Sequence, residues 1–156
     1  MNQIIIGGKI IPRAILQELP EYRFKFKRTV QKSDLNYAGH LGNDSLVSII
    51  QEARVELFKE LDCSELDLGD GRTGIIIGDL VVNFEGEAFE GDELIIESQI
   101  GDVTHKSMRL YHRVSKTNDN KLIALVETGL VAFDYTTRVI SKWPDELNIV
   151  IKKLVE

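Results

Sequence analysis

A polar loop that runs directly into a long amphipathic segment constrains the fold of this chain more than any other feature. In residues 46–61, apolar side chains recur at intervals of four, three, four and four, which predicts one long helix with an apolar face. That face consists of Leu46, Ile50, Ala53, Leu57 and Leu61, widened by Ile49 and Val47. The preceding loop, residues 33–45, holds two glycines and five closely spaced polar side chains: Asp34, Asn36, His40, Asn43 and Asp44.

The start of this helix is predicted to be rich in hydrogen-bonding groups. Asp44 and Ser45 are candidates for the N-cap or first turn, because a side-chain oxygen there accepts an otherwise unbonded backbone N–H. The loop therefore leads into the positive end of an apolar helix. Such an arrangement can hold and polarise a carbonyl oxygen.

Most of the remaining chain has the pattern of β-strands. Tyr22, Phe24 and Phe26 alternate with basic residues, which is typical of a half-buried strand. Four further strand-like segments leave no room for crossover helices and are therefore predicted to pair antiparallel. These segments are residues 73–84, 93–103, 106–116 and 122–135. One long helix followed by a meander of strands predicts an α+β domain with the helix packed on one face of the sheet.

Both ends of the chain are predicted to add short elements. Residues 4–6 can form a short strand, and Pro12 can open a brief helix to Leu19, because proline is tolerated at the first helical position. Pro144 opens a predicted C-terminal helix that reaches Leu154.

Charge and hydropathy exclude several classes of partner. The formal net charge is -6 and no basic stripe is visible, which argues against nucleic-acid binding. No run approaches the roughly 18 apolar residues that cross a bilayer, and the N-terminus lacks the cationic start of a secretory signal. The single cysteine, Cys63, suits a cytoplasmic protein. His105 and His112 have no cysteine or carboxylate at ligand spacing, so no metal site is expected.

The loop and helix together resemble a known family. Residues 34–43 are similar to the D-x-D-x-x-G-H-[VL]-x-N loop of hot-dog-fold acyl-CoA thioesterases, and residues 52–56 are similar to their E-A-R-x-E run. The nearest branches are the 4-hydroxybenzoyl-CoA thioesterase group and the plant acyl-carrier-protein thioesterases. The likeness continues downstream to about Leu147. It implies a single hot-dog domain at residues 22–156, an antiparallel sheet wrapped around one central helix, with residues 1–21 as an extension of uncertain structure.

The resemblance also implies a function. It predicts hydrolysis of an acyl-CoA to free acid and CoA, with an acyl-CoA or an acyl-carrier protein as substrate and no cofactor besides the CoA of the substrate. Because hot-dog domains build this site between two subunits, it implies a homodimer or homotetramer. A self-complementary sheet edge or the helix start is the candidate interface.

The catalytic carboxylate is the open question in the sequence. The family commonly has a nucleophilic or basic Asp where this chain has Asn36, whose amide can orient water or donate a hydrogen bond but cannot accept a proton at neutral pH. Glu52 is the candidate replacement, reaching across a dimer interface; alternatively, it faces solvent. Asp44 is a second candidate, for which an N-cap role is the simpler explanation. Asp34 is interpreted as a residue that structures the loop.

The other candidate residues lie around Asn36. His40 either donates to the substrate or braces the loop, and Asn43 either borders the site or caps the helix. Backbone N–H groups around Gly39 and Leu41 are candidate donors to the thioester carbonyl oxygen, and Tyr37 is a candidate lining residue of the acyl pocket.

Two other functions remain possible from the sequence alone. The replacement of the loop aspartate by Asn36 favours a binding module that holds an acyl-CoA or acyl-carrier protein without hydrolysis. A hydratase or dehydratase on the same fold would use His40 and Glu52 to handle water at the acyl β-carbon.

Overall fold

The computed structural model describes residues 3–6, 9–12 and 14–155, and within these ranges the chain forms two α-helices and eight strands. The helices are α1 (Asn43–Glu60) and α2 (Asp145–Val155). The strands are β1 (Gln3–Ile6), β2 (Lys9–Pro12), β3 (Phe24–Thr29), β4 (Thr73–Phe84), β5 (Glu93–Gly101), β6 (Ser107–Lys116), β7 (Leu122–Asp134) and β8 (Val139–Ile140).

Six of these strands form one antiparallel sheet in the described part of the chain. Its order is β3-β5-β6-β7-β4, with the short β8 paired to the end of β7. Strands β5, β6 and β7 are a meander, as their short predicted separators require. The connection that contains α1 joins the two opposite edges, β3 and β4, and the helix lies closest to β3 and β5.

Helix α1 packs its predicted apolar face against the sheet. Leu46, Ile50, Ala53 and Leu57 are buried, and Ile49 is completely enclosed. Burial of each large apolar side chain contributes about 1.5–3 kcal/mol, so this stripe fixes the helix on the sheet. Val47 was expected to widen the stripe, but its side chain is 39% exposed because it lies beyond the edge of the contact. In the part of the chain that the structure describes, neither helix is both long and apolar enough to cross a membrane.

The helix begins three residues earlier than the apolar pattern predicts. Its N-cap is Gly42, not Asp44 or Ser45, and the Leu46 N–H donates to the Gly42 carbonyl at 3.0 Å. The Asp44 carboxylate lies close over Gly42, where a Cβ would be 2.6 Å from Asp44 Oδ1. Asp44 falls in the first turn, where its negative charge faces the positive helix end.

The predicted helix from Pro12 to Leu19 is not formed. Lys9–Pro12 is strand β2 and pairs with β1, and residues 14–19 are neither helix nor strand. The Leu16 N–H and the Ala14 carbonyl bond instead to the Asn83 side chain at 2.7 and 2.9 Å. These long-range hydrogen bonds hold the segment against the sheet and leave its backbone groups unavailable to a helix.

A buried polar layer divides the core along α1. Apolar residues under the first half of the helix and those under the second half form two groups. The three central strands, β5, β6 and β7, change group at Ser98, His112 and Thr128. On the helix the change falls at Arg54. Ser98 Oγ lies 2.7 Å from His112 Nδ1, and Arg54 pairs with Glu65. The core is therefore apolar at both ends and polar in the middle.

Candidate active site

The loop before α1 is closed by its own backbone. The Asn36 N–H donates to the His40 carbonyl at 2.9 Å, and the Gly42 N–H donates to the Asp34 carbonyl at 3.0 Å. Between them Gly39 has φ +79, a conformation that glycine adopts without strain. These bonds turn residues 34–42 into a small, fixed hairpin that delivers the chain to the helix start.

An arginine from the first strand of the sheet holds this hairpin in place. Arg28 Nη1 and Nη2 donate to the two Asp34 carboxylate oxygens at 2.5 and 3.1 Å, and Arg28 Nε donates to Glu52 Oε2 at 3.1 Å. The hydrogen bond from Arg28 keeps the pKa of Asp34 below its usual value. Asp34 also accepts from the Gln31 N–H at 2.8 Å. Its contacts thus agree with the structural role inferred from the sequence.

A cleft of about 470 Å³ opens beside the hairpin. Five residues singled out from the sequence line it, together with three from the end of β4 and the segment that follows. They are Asn36, Tyr37, His40, Leu41 and Asn43, and then Phe84, Gly86 and Glu87. Gly39 contributes the turn between these lining residues. The loop and the helix start therefore assemble one site from residues that are neighbours in sequence.

Glu52 lies outside this cleft. It borders a separate groove of about 340 Å³ between α1 and Phe26, where Arg28 holds its carboxylate and its side chain is 45% exposed. Among the described residues, it is not part of the lining of the Asn36 cleft. Glu52 can consequently act with Asn36 only across a contact between two copies of the chain.

The backbone donors of the loop are fewer than predicted. The Gly39 N–H donates to the Asn36 carbonyl at 3.0 Å, and the Leu41 N–H donates to the Ala88 carbonyl at 2.8 Å, so both are used inside the fold. The His40 N–H has no acceptor in the described ranges. The first-turn N–H groups of α1 have no partner within the helix, and Gly42 offers them no side-chain cap. The available donors are thus His40 and the helix start.

The Asn36 side chain is oriented to donate. Its Oδ1 accepts from the Ala38 N–H at 2.9 Å, which leaves the Nδ2 amide group for another partner. Asn36 and His40 are both half-buried, and Tyr37 is fully exposed at the mouth of the cleft. Polar donors consequently lie inside the cleft, with aromatic surface at its entrance.

Sequence reasoning missed the wall of the cleft that carries Glu87. This residue lies in the connection between β4 and β5, more than forty positions from the loop, and its neighbour Ala88 bonds to Leu41. No local pattern marks such a contact. The polar character of residues 85–92 predicts only a surface connection.

Comparisons with known proteins agree with this architecture. A family model described as the thioesterase-like superfamily matches residues 30–151. No curated protein matches the sequence. A 1,4-dihydroxy-2-naphthoyl-CoA thioesterase from Synechocystis has a similar structure, with a TM-score of 0.76 and 19% identity over 85% of this chain and 98% of that one. A hypothetical protein from Staphylococcus aureus, solved in complex with CoA, has a TM-score of 0.75 and 15% identity over 88% of this chain and 87% of that one.

These structural likenesses confirm the predicted α+β hot-dog fold, with its antiparallel sheet and long helix. The family model spans most of the chain, including the polar loop, α1 and the whole sheet from β4 onward. The chain belongs to the thioesterase-like superfamily.

Proposed function

We propose that this protein is an acyl-CoA thioesterase that hydrolyses its substrate in the cleft beside the loop hairpin. The observation that carries the proposal is the set of unused donors around that cleft: the His40 N–H, the Asn36 amide and the first-turn N–H groups of α1, which begins at the lining residue Asn43. Donors fixed before the reaction stabilise the negative charge that develops on a carbonyl oxygen during acyl transfer. The family match favours hydrolysis over the binding module and over the hydratase.

The cleft suggests how a thioester would lie. Its carbonyl oxygen would face the His40 N–H and the helix start, where the macrodipole adds positive potential. Tyr37 and Phe84 present exposed aromatic surface at the mouth and would contact the acyl group. The position of these two side chains supports a bound acyl group that extends out of the cleft along the end of β4.

A second copy of the chain would complete this cleft. Strand β4 is an edge strand in the described sheet and exposes Ile77 and Leu80, and Phe84 at its end borders the cleft. An edge with unpaired N–H and C=O groups and apolar side chains is ready to pair with another strand. We therefore propose a C2 homodimer through β4 as the basic unit of a dimer or tetramer.

Other features support a cytoplasmic protein that acts on soluble thioesters. The lone Cys63 suits a reducing compartment, and the net charge of -6 offers no surface for nucleic acid. An acyl-carrier protein remains a possible alternative carrier of the acyl group.

The test is release of free thiol from a panel of acyl-CoAs. We expect steady release by the wild-type protein, with the highest kcat/KM on the preferred acyl group. Tight binding of acyl-CoA without thiol release would contradict the proposal and favour the binding module. Loss of enoyl-CoA absorbance without thiol release would identify a hydratase.

The dimer is tested separately by its mass in solution. Leu80→Lys places a charge on the β4 edge and should convert the dimer to a monomer with little thioesterase activity. A monomeric wild-type protein that hydrolyses acyl-CoA at full rate would contradict the proposed role of a second copy.

A further inference from the structure

Thioester hydrolysis at this cleft needs a group that accepts a proton from water, and Asn36 cannot supply it. One carboxylate lines the same cleft as Asn36 and His40 in the described chain, and it belongs to Glu87. We infer that Glu87 is the catalytic base of the proposed thioesterase, replacing the aspartate that the loop lacks. This inference rests on the proposed function.

The backbone on both sides of Glu87 is fixed. On one side, the Ala88 carbonyl accepts from the Leu41 N–H at 2.8 Å, and the Ala88 side chain is buried in the apolar group under the first half of α1. On the other side, the Glu85 and Gly86 N–H groups both donate to the Ile123 carbonyl, at 2.8 and 3.1 Å. Glu87 therefore leaves a segment that is attached to the loop hairpin and to the sheet.

Gly86 makes this attachment possible. A Cβ at that position would lie 2.8 Å from the Leu122 carbonyl oxygen, which is closer than real side chains approach. The absence of a side chain lets the segment lie against the start of β7, and Glu87, an exposed residue, follows it along the wall of the cleft. A rigid carrier is what a catalytic carboxylate needs, because small misplacements reduce the rate strongly.

Two of the other acids near the loop are engaged, because Arg28 binds both Asp34 and Glu52. Asp44 is exposed in the first turn of α1 and, among the described residues, does not line the cleft. Glu87 does line the cleft, and it has no ion-pair or hydrogen-bond partner within residues 14–154, for which side chains are described. Its carboxylate is thus free to bind a water molecule in the cleft.

The reaction at this site is a balanced hydrolysis. Glu87 takes a proton from water as the water oxygen bonds to the thioester carbon, and the carbonyl π electrons move to the oxygen that faces the His40 N–H. The C–S bond then breaks with its electron pair on sulfur, and the proton on Glu87 passes to the CoA thiolate. One carboxylic acid and one CoA thiol leave, and Glu87 returns to the carboxylate form.

The experiment compares Glu87→Gln with two matched variants, Glu85→Gln and Glu52→Gln, in the full-length protein. Glu85 is an exposed acid two positions away that does not contribute to the cleft among the described residues. We expect Glu87→Gln to lower kcat by about 10²–10⁴-fold, the usual contribution of a general base, and Glu85→Gln to leave it within twofold. Glu87→Asp should recover part of the lost rate. Binding of a non-hydrolysable acyl-CoA thioether should be retained by Glu87→Gln, which would show that the variant is folded.

The outcomes separate this inference from the proposed function. If the wild-type protein hydrolyses acyl-CoA and Glu87→Gln keeps its rate within threefold, Glu87 is not the base. A large loss in Glu52→Gln alone would then assign the role to Glu52 across the dimer. If the wild-type protein releases no thiol from any acyl-CoA, both proposals are overturned together.

Discussion

Helix α1 carries one polar region at its start and another at its middle, and the two differ in what their polar groups contact. At the start, Asn36 and His40 face an open cleft with unused donors. At the middle, Ser98 and His112 bond to each other inside the core, next to the Arg54–Glu65 pair. Both regions contain a histidine beside the same helix, so residue type alone does not identify the site.

The difference shows what each region contributes. In the core, an unpartnered polar group is destabilising, and Ser98 and His112 Nδ1 satisfy each other, whereas His112 Nε2 and Thr128 Oγ1 are buried without a hydrogen-bond partner among the described residues. At the open cleft, the Asn36 side-chain oxygen bonds within the loop, while the Asn36 amide group and the His40 N–H are available to a ligand. Substitutions in the cleft should therefore change the rate, and substitutions in the buried layer should change stability.

The largest expected effect belongs to the cleft. Replacing Asn36 by Ala removes a donor to the thioester carbonyl and should lower kcat by about 10²–10³-fold, equivalent to about 2.7–4 kcal/mol. Stability should fall by only about 0.5–1.5 kcal/mol, because one exposed hydrogen bond to Ala38 is lost. Thiol-release kinetics and urea unfolding measure the two quantities.

Asn36→Asp is the matched control for this prediction. It keeps an oxygen for the Ala38 N–H, replaces the donating amide by a second acceptor oxygen and adds a negative charge. We expect its loop to remain intact and its rate to fall as well. A rate above that of the wild-type protein would instead mean that the site uses a carboxylate at this position, and Asn36 would not be acting as a donor.

The next largest expected effect is a loss of stability in the buried polar layer. Glu65→Gln leaves the Arg54 guanidinium without its counter-charge, and the Arg54 side chain is only 8% exposed. Loss of one partner of a buried ion pair lowers the free energy of unfolding by about 3–5 kcal/mol. Because Glu65 is partly exposed, we expect a loss near the low end of that range. The turnover number of the folded variant should be unchanged.

Glu56→Gln provides the contrast on the same helix. It breaks an exposed pair with Lys59, and such pairs contribute at most about 1 kcal/mol. Urea unfolding of both variants checks the prediction. Equal, small losses of unfolding free energy would show that the Arg54–Glu65 pair is not a buried interaction in solution.

The fold was predictable from the sequence because its signals are local. The spacing of Leu46, Ile50 and Leu57 defines α1, and the predicted bounds of β4 and β6 lie within a residue of the observed ones. The helix start was misplaced because Gly42, which has no capping side chain, occupies the N-cap. The predicted helix from Pro12 to Leu19 is wrong because backbone groups of this segment bond to the Asn83 side chain, which is far away in sequence.

The cleft could be predicted only on the side formed by the loop. Asn36, His40 and Asn43 are close in sequence and also meet in space. Glu87 reaches them through one backbone hydrogen bond between Leu41 and Ala88, which depends on how α1 places the loop against the sheet. The position of Glu52 on the helix predicts a catalytic role, but within a single chain Glu52 borders a different groove. Its role therefore depends on contacts between copies.

The last expected effect is a loss of stability in acid that comes from His112. Burial, with the nearby Arg54 charge, lowers the pKa of His112 from 6.5 to about 3. Between these values the unfolded chain binds a proton at this position that the folded chain does not, so unfolding becomes easier as the pH falls. The stabilisation is complete above pH 6.5 and is lost by up to about 1.4 kcal/mol per pH unit as the pH falls toward 3.

His112→Asn isolates this contribution, because asparagine can still bond to Ser98 but does not titrate. Five aspartates, Asp34, Asp70, Asp79, Asp92 and Asp134, have pKa values lowered from 3.8, and both proteins carry them, so their effect is common to both. Urea unfolding measured from about pH 6.5 to about pH 4.5 should therefore give a steeper loss of stability in the wild-type protein than in the variant. Equal slopes would mean that His112 accepts its proton without leaving the core, and the middle of α1 would then be as accessible to solvent as its start.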